Sequence, residues 1–259
     1  MEPALIAKLL QPFLRDAGEQ QPFAHDALYH HISTYIDILL HWNARINLTA
    51  VRDPEEIVTR HFGESLFAAR HLFPGAASAE KTSPAGSKCQ PLMSNARVAD
   101  LGSGAGFPGI PIKLWAPHIA LTLVESNHKK ATFLREVTRT LTLTDVDITH
   151  ARAETLPLSS FDVVTLRAVE RLVDVLATAV AVLVPAGRLA LLISSSQLNA
   201  VHRTIPSFEF DDPIPVPASE SRVLLIGRKP FRNSGLTDVP MGTSEQSAAK
   251  RLPSGPYET

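Results

Sequence analysis

The chain has 259 residues, 44% of them hydrophobic, which suits one large domain, or one domain with appendages, around a sizeable core. A net charge of −1 and a pI near 6.8 exclude a globally basic surface, so any contact with nucleic acid must come from a local patch. No apolar run is long enough to span a membrane, the Met1–Leu5 start lacks the basic-then-apolar pattern of a secretory signal, and the single Cys89 rules out an internal disulfide or a cysteine metal cluster. The expectation is a soluble, cytoplasmic monomer with no membrane and no metal partner.

Residues 1–73 read as an N-terminal helical extension. Across Ala24–Trp42 the apolar positions Leu28, Ile32, Tyr35/Ile36, Leu39 and Trp42 recur every three to four residues, as in an amphipathic helix. Asp53 is placed as an N-cap, followed by Pro54 at the first helical position and by Glu55 and Glu56 against the positive helix end. That helix is expected to run to about Leu72. Residues 74–95, rich in Ala, Ser, Gly and Pro, read as a flexible insertion in which Cys89 is a bystander thiol.

From Ala96 the pattern alternates between strand and helix. Apolar runs at Arg97–Leu101, Ala120–Glu125, Val146–His150, Phe161–Leu166 and Arg188–Ile193 predict buried strands. Helices are expected at Ile110–Trp115, His128–Thr140 and Arg171–Leu183, the last stopped by Pro185-Ala186-Gly187. Such alternation implies a mainly parallel sheet covered on both faces, with Ser221–Gly227 as an antiparallel edge strand. The α/β domain occupies residues 96–230, and residues 231–259 read as a disordered tail.

The strand Arg97–Leu101 delivers the chain to Gly102, Gly104 and Gly106, whose alternate glycines let the backbone turn sharply and approach a ligand. Gly104-x-Gly106-x-x-Gly109 also satisfies the dinucleotide fingerprint, with Glu125 about 20 residues on. A nicotinamide-dependent oxidoreductase therefore stays open. Two details favour S-adenosylmethionine as cofactor. Asp100 stands just ahead of the glycines, where it would meet the cofactor's ammonium or a water beside it. Arg152-Ala153-Glu154 follows the third strand, where an adenine ring would rest. Glu125 ends the second strand with two oxygens for the ribose hydroxyls. No Asn/Asp-Pro-Pro-aromatic motif is present to clamp an exocyclic amine, and no cysteine is placed as a nucleophile. That pattern fits a ring nitrogen acceptor, for which positioning and electrostatics suffice.

Several motifs outside the loop are more specific. They are Trp42-Asn43-x-x-Ile46-Asn47-Leu48-Thr49-Ala50, Arg60-His61-Phe62 with Ser65-Leu66, Asp100–Pro111, Val124-Glu125-Ser126 with Lys129-Lys130, and Phe133-Leu134-Arg135. Arg152-Ala153-Glu154, Phe161–Thr165 and Arg167-Ala168-Val169 follow in order. Together, over roughly Tyr35 to Leu192, they resemble the bacterial small-subunit rRNA guanine-N7 methyltransferases, the RsmG or GidB family. The resemblance implies a class I (Rossmann-like) S-adenosylmethionine-dependent methyltransferase with a mostly parallel seven-stranded sheet. It further implies transfer to N7 of a guanine in the 530 loop of 16S rRNA (guanine 527), on free rRNA or a small-subunit precursor.

Carried over by position, the cofactor contacts are Gly102, Phe107, Glu125, Ala153, Glu154 and Arg167, to which the reading of the loop adds Asp100, Gly104 and Gly106. Arg167, Asn47, Arg60 and His61 are expected at the reacting end, and Arg45, Arg52, Arg60, Lys129, Lys130 and Arg135 are candidates for phosphate contacts. Two departures bear on the substrate side. Leu166 stands where the family usually has Ser, and Ser194 stands where the fifth strand usually ends in Lys. Glu64 keeps the acidic residue expected beside Ser65. Another acceptor for the methyl group, or a non-catalytic ribosome- or RNA-binding module, remain the alternatives.

Overall fold

The computed structural model describes residues 1–14, 25–74, 95–167 and 172–231. Most of the insertion expected at 74–95, Cys89 included, and of the tail expected at 231–259 lies outside the described residues.

Eight strands form one sheet: β1 (Arg97–Leu101), β2 (Ala120–Val124), β3 (Val146–Thr149), β4 (Phe161–Arg167), β5 (Leu183–Ser194), β6 (Glu209–Phe210), β7 (Ile214–Pro215) and β8 (Arg222–Arg228). Their order is β3-β2-β1-β4-β5-β8-β6, with β7 also paired to β8. The first five are parallel, and β8 enters antiparallel to β5 as expected, but it is not the expected edge, because β6 and β7 pair along its far side. The expected count of seven becomes eight because the outermost strand is broken. β6 and β7 pair with different stretches of β8, separated by Asp211-Asp212-Pro213, where proline has no N–H to offer a ladder.

Alternate strand residues point to opposite faces and so build two cores. Val98, Leu121, Leu123, Val163, Leu192 and Leu224 face one core, while Ala99, Leu101, Val164, Leu166, Leu191 and Leu225 face the other. Helices α7 (Leu172–Val182) and α8 (Leu198–Thr204) cover the second face through Leu172, Leu176, Ala179 and Val201. The first face is covered by α5 (Gly109–Trp115) and α6 (His128–Thr140), together with the N-terminal helices α1 (Pro3–Leu14) and α2 (His25–Asn43). Ile6, Leu10, Ile32, Tyr35 and Leu39 are buried in the same continuous core as the sheet. Each such side chain contributes about 1.5–3 kcal/mol relative to leaving it in water, so the helical extension is bound tightly to the sheet.

The helix expected from Asp53 begins as read. The Asp53 carboxylate accepts from the Glu56 N–H at 2.9 Å, and α3 (Pro54–Glu56) follows. It then widens into a π-helical segment, Ile57–Gly63, before α4 (Glu64–Leu72) resumes the α pitch. Gly63 is needed there because a Cβ would stand 2.6 Å from the Phe13 ring of α1.

The chain adds β2 and β3 on one side of β1, then returns to add β4 and β5 on the other. The order therefore reverses between β1 and β4, and the crevice at their carboxyl ends is where open α/β sheets hold ligands.

Candidate active site

The loop after β1 has φ of +71° at Gly102, +54° at Gly104 and +82° at Gly106, a left-handed series open to glycine at little cost. Glu125, at the end of β2, anchors it. One carboxylate oxygen accepts from Gly104 N–H at 2.9 Å and the other from Asn127 N–H at 2.7 Å. Each oxygen keeps a further lone pair for a ribose hydroxyl. Gly102, Glu125, Ala153 and Glu154 line one cleft of about 370 Å³, within the usual range for a small-molecule site. The Ala153–Thr155 turn forms its far wall after β3.

Asp100 lies beneath the loop, with 1% of its surface exposed. Its carboxylate accepts from Thr165 Oγ1 at 2.9 Å and from Gly109 N–H at 3.2 Å, tying the loop to β4 and to the start of α5. Burial pushes its pKa up to about 6, against the downward pull of those hydrogen bonds. Its oxygens thus meet the protein's own donors on β4 and α5.

At the other end of the loop sits a charged cluster. Arg167, on the last residue of β4, donates from Nη2 and Nε to Glu64 Oε2 at 3.1 and 3.3 Å. Nη2 also reaches the Arg60 carbonyl at 2.7 Å and His61 Nδ1 at 2.9 Å. A guanidinium has only donors, so Nδ1 must present its lone pair and the proton sits on Nε2. That Nε2 lies 2.7 Å from Thr49 Oγ1 and donates to it. Burial first, then the charges of Arg167, Arg60 and Arg222, lower the His61 pKa to about 3, so the ring is neutral at physiological pH. Burial also lowers the Arg167 pKa, opposed chiefly by Glu64. Arg222, on β8, extends the cluster with its Nε 3.7 Å from Glu64 Oε1.

Phe107 joins the cluster to the loop. Its ring lies 4.9 Å from that of His61, and the Arg167 guanidinium carbon is 5.9 Å from its centroid. The ring also stacks on Tyr35 at 5.4 Å with an interplanar angle of 6°. The Tyr35 hydroxyl donates to the Ala105 carbonyl within the loop.

The structure thus brings together Arg167, His61 and Phe107 as expected from sequence, with Gly102, Glu125, Ala153 and Glu154 along the cleft. Arg60 enters through its backbone carbonyl, while its exposed side chain pairs with Glu56 at 2.6 Å. Asn47 is exposed. The amide that organises this stretch is Asn43, whose Oδ1 accepts from Leu48 and Thr49 N–H at 2.9 and 3.1 Å. Asn43, Thr49, Tyr35 and Arg222 escaped the sequence reading as site residues. The Trp42–Ala50 motif contains the first two, but its spacing does not say which asparagine turns inward. Of the phosphate candidates, Arg45, Arg52, Lys129 and Arg135 are exposed and Lys130 partly so. Among the described residues no group of three or more His, Cys, Asp or Glu could hold a metal ion, and no helix is long and apolar enough to cross a membrane.

Two solved structures match over most of this fold. The cyclase SpnF covers 78% of this chain and 94% of its own at TM-score 0.54 and 13% identity. Pyrococcus horikoshii TYW2, solved in complex with MeSAdo, covers 65% and 62% at TM-score 0.50 and 11% identity. At such identities they establish the fold alone. Sequence relatives go further. A protein called ribosomal RNA small subunit methyltransferase G from Xanthomonas euvesicatoria is 39% identical over 156 residues, covering 60% of this chain and 64% of the relative. One of the same name from Stenotrophomonas maltophilia is 36% identical over 186 residues, covering 71% and 76%. The chain spans just under two thirds of the length of the Xanthomonas relative. The family described as GidB, rRNA small subunit methyltransferase G, matches residues 28–78 and 87–216, from α2 through β7, and the chain belongs to that family.

Proposed function

We propose that this chain binds S-adenosylmethionine in the cleft beside Glu125 and transfers its methyl group to N7 of a guanine in small-subunit rRNA, guanine 527 of the 530 loop. The observation that carries the reading is the Arg167–His61–Glu64 cluster: a fixed cation beside a histidine held neutral, set against Phe107 where the cofactor loop ends.

Guanine N7 offers a lone pair in the plane of the ring and carries no proton, so the acceptor needs orientation and no general base. Bound S-adenosylmethionine supplies an electrophilic methyl carbon on a positively charged sulfur. His61 has both ring nitrogens engaged and takes no proton; its role is to hold Arg167 and to wall the site together with Phe107. Arg167 uses Nε and Nη2 on Glu64, His61 and Arg60, which leaves Nη1 to donate to an acceptor such as guanine O6. Glu64 lies between Arg167 and Arg222 and offsets one of their two positive charges. Arg45, Arg52, Lys129, Lys130 and Arg135 serve the RNA phosphates, which position the substrate without reading its sequence.

The test is methyl transfer from labelled S-adenosylmethionine to 30S particles and to deproteinised rRNA, with 7-methylguanosine identified by mass spectrometry. Transfer to either substrate is expected. Calorimetry showing bound S-adenosylmethionine without transfer would turn the reading to another acceptor or to a binding module. Calorimetry showing NAD bound instead would overturn it.

A further inference from the structure

Three side chains hold the glycine loop, each from a different direction. Asp100 grips Gly109 from below, and Glu125 grips Gly104 from the cleft. Both belong to the nucleotide-binding half of the sheet. The third, Tyr35, comes from α2, outside it. Its hydroxyl donates to the Ala105 carbonyl across 70 residues of sequence, and its ring is stacked on Phe107 and packed edge-on against Phe62. The side chain is fully buried, so no water competes for that carbonyl. Gly106 is shaped around it: a Cβ there would collide with the Tyr35 hydroxyl.

From this geometry we infer that Tyr35 is a positioning residue for the cofactor loop, making affinity for S-adenosylmethionine depend on a helix that contributes nothing to the cleft wall. The inference rests on the proposed function. Ala105 lies between Gly104 and Gly106, both at positive φ, so its two flanking peptide units have more freedom than those of an ordinary turn. The hydroxyl fixes the carbonyl between them. Without that bond the Ala105–Gly106 peptide samples further orientations, and only a fraction of the loop population stays competent to bind. Helix α2 ends at Asn43, which holds Leu48 and Thr49, and Thr49 in turn accepts from His61. One rigid element thus touches the loop at Tyr35 and supports the reacting end at Asn43.

Tyr35→Phe removes the hydroxyl and keeps the ring stack. The dissociation constant for S-adenosylmethionine, measured by calorimetry, is expected to rise about tenfold, with kcat at saturating cofactor within about twofold of the parent. Amide hydrogen exchange should quicken over 103–106 in the unliganded variant while the strands keep their protection. Leu28→Ala, a core change two turns away on α2, serves as the comparison: it should lower Tm at least as much and leave cofactor affinity unchanged. An unchanged affinity in Tyr35→Phe, whatever its Tm, would show the tyrosine to be packing alone and overturn the inference. So would an equal loss of affinity in Leu28→Ala. A parent chain that binds no S-adenosylmethionine would overturn the proposed function and this inference with it.

Discussion

Replacing Glu64 by glutamine should expose how much the charged cluster depends on a single carboxylate. The Glu64 and Arg167 side chains are 4% and 7% exposed, so the variant leaves a buried guanidinium without its counter-charge. Breaking a buried pair from one side costs about 3–5 kcal/mol. Arg167 keeps two acceptors, the Arg60 carbonyl at 2.7 Å and His61 Nδ1 at 2.9 Å, which places the loss at the lower end, about 3 kcal/mol. For a chain of this size that corresponds to a fall in Tm of about 6–12 °C. Urea unfolding followed by circular dichroism measures it directly. The internal standard is Glu56→Gln, which breaks an ion pair whose side chains are 44% and 49% exposed and should cost less than about 0.5 kcal/mol. A Glu64→Gln loss no larger than the Glu56→Gln loss would refute the reasoning, because it would mean that Arg167 is solvated in solution.

The pH dependence of stability follows from His61. Unfolded, the ring titrates near 6.5, and folded near about 3, so in that interval the unfolded chain binds a proton that the folded chain refuses. Its contribution is complete above about pH 6.5 and declines by up to about 1.4 kcal/mol per pH unit as pH falls. His71, lowered by burial to about 4, acts in the same direction. Asp100, raised to about 6, acts in the opposite one: its contribution is present below 3.8 and lost as pH rises through about 6. His61→Gln should therefore flatten the stability profile between about pH 4 and pH 6 by about 1.4 kcal/mol per unit, read from urea titrations across that range. At Gly104 a Cβ would meet only the Gly102 carbonyl at 3.8 Å, but Gly104→Val puts a branched side chain at φ +54°. It should cost about 1–2 kcal/mol in backbone strain, retain the native circular dichroism spectrum and abolish S-adenosylmethionine binding in calorimetry. Gly109→Ala places a methyl 2.6 Å from Leu123 Cδ2 and 2.8 Å from Asp100 Oδ2, and should lower unfolding free energy by about 1–3 kcal/mol.

Where sequence patterning is long and regular, the structure follows it closely. α6 has the expected bounds His128–Thr140, and four of the five parallel strands lie where the apolar runs place them; β5 starts five residues early, at Leu183, and takes in the Pro185-Ala186-Gly187 read as a helix stop. β6 and β7, two residues each, are too short to carry a period of two, so only the pairing with β8 defines them. α8, of only seven residues, falls outside the reading for a similar reason, since two turns leave little periodicity to detect. The site divides along the same line. Glycines at positive φ and a carboxylate at the end of β2 are local features and can be read directly. The pairing of Arg167 with Glu64 spans 103 residues, and the choice of Asn43 over Asn47 depends on the turn between them. Tyr35 reads as one more apolar position on a helical stripe; nothing in its spacing reveals that its hydroxyl lands on the cofactor loop.

The widened turn at Ile57–Gly63 also imposes a counting rule on the gene. A π turn holds roughly one residue more than the α turn it replaces, and each residue of an α-helix rotates the next by about 100°. Deleting a single codon there would let the helix close to ordinary pitch, leaving the turns on either side in phase but rotating the residues of the widened turn about the axis. Arg60 and His61 could then no longer both meet Arg167 while Glu64 did so from the following turn. Substitutions in this stretch are graded in their effect, but changes in its length are not. Lineages descended from this chain are therefore expected to keep the number of residues between Asp53 and Glu64 fixed, and to hold His61 and Gly63 while the exposed positions vary.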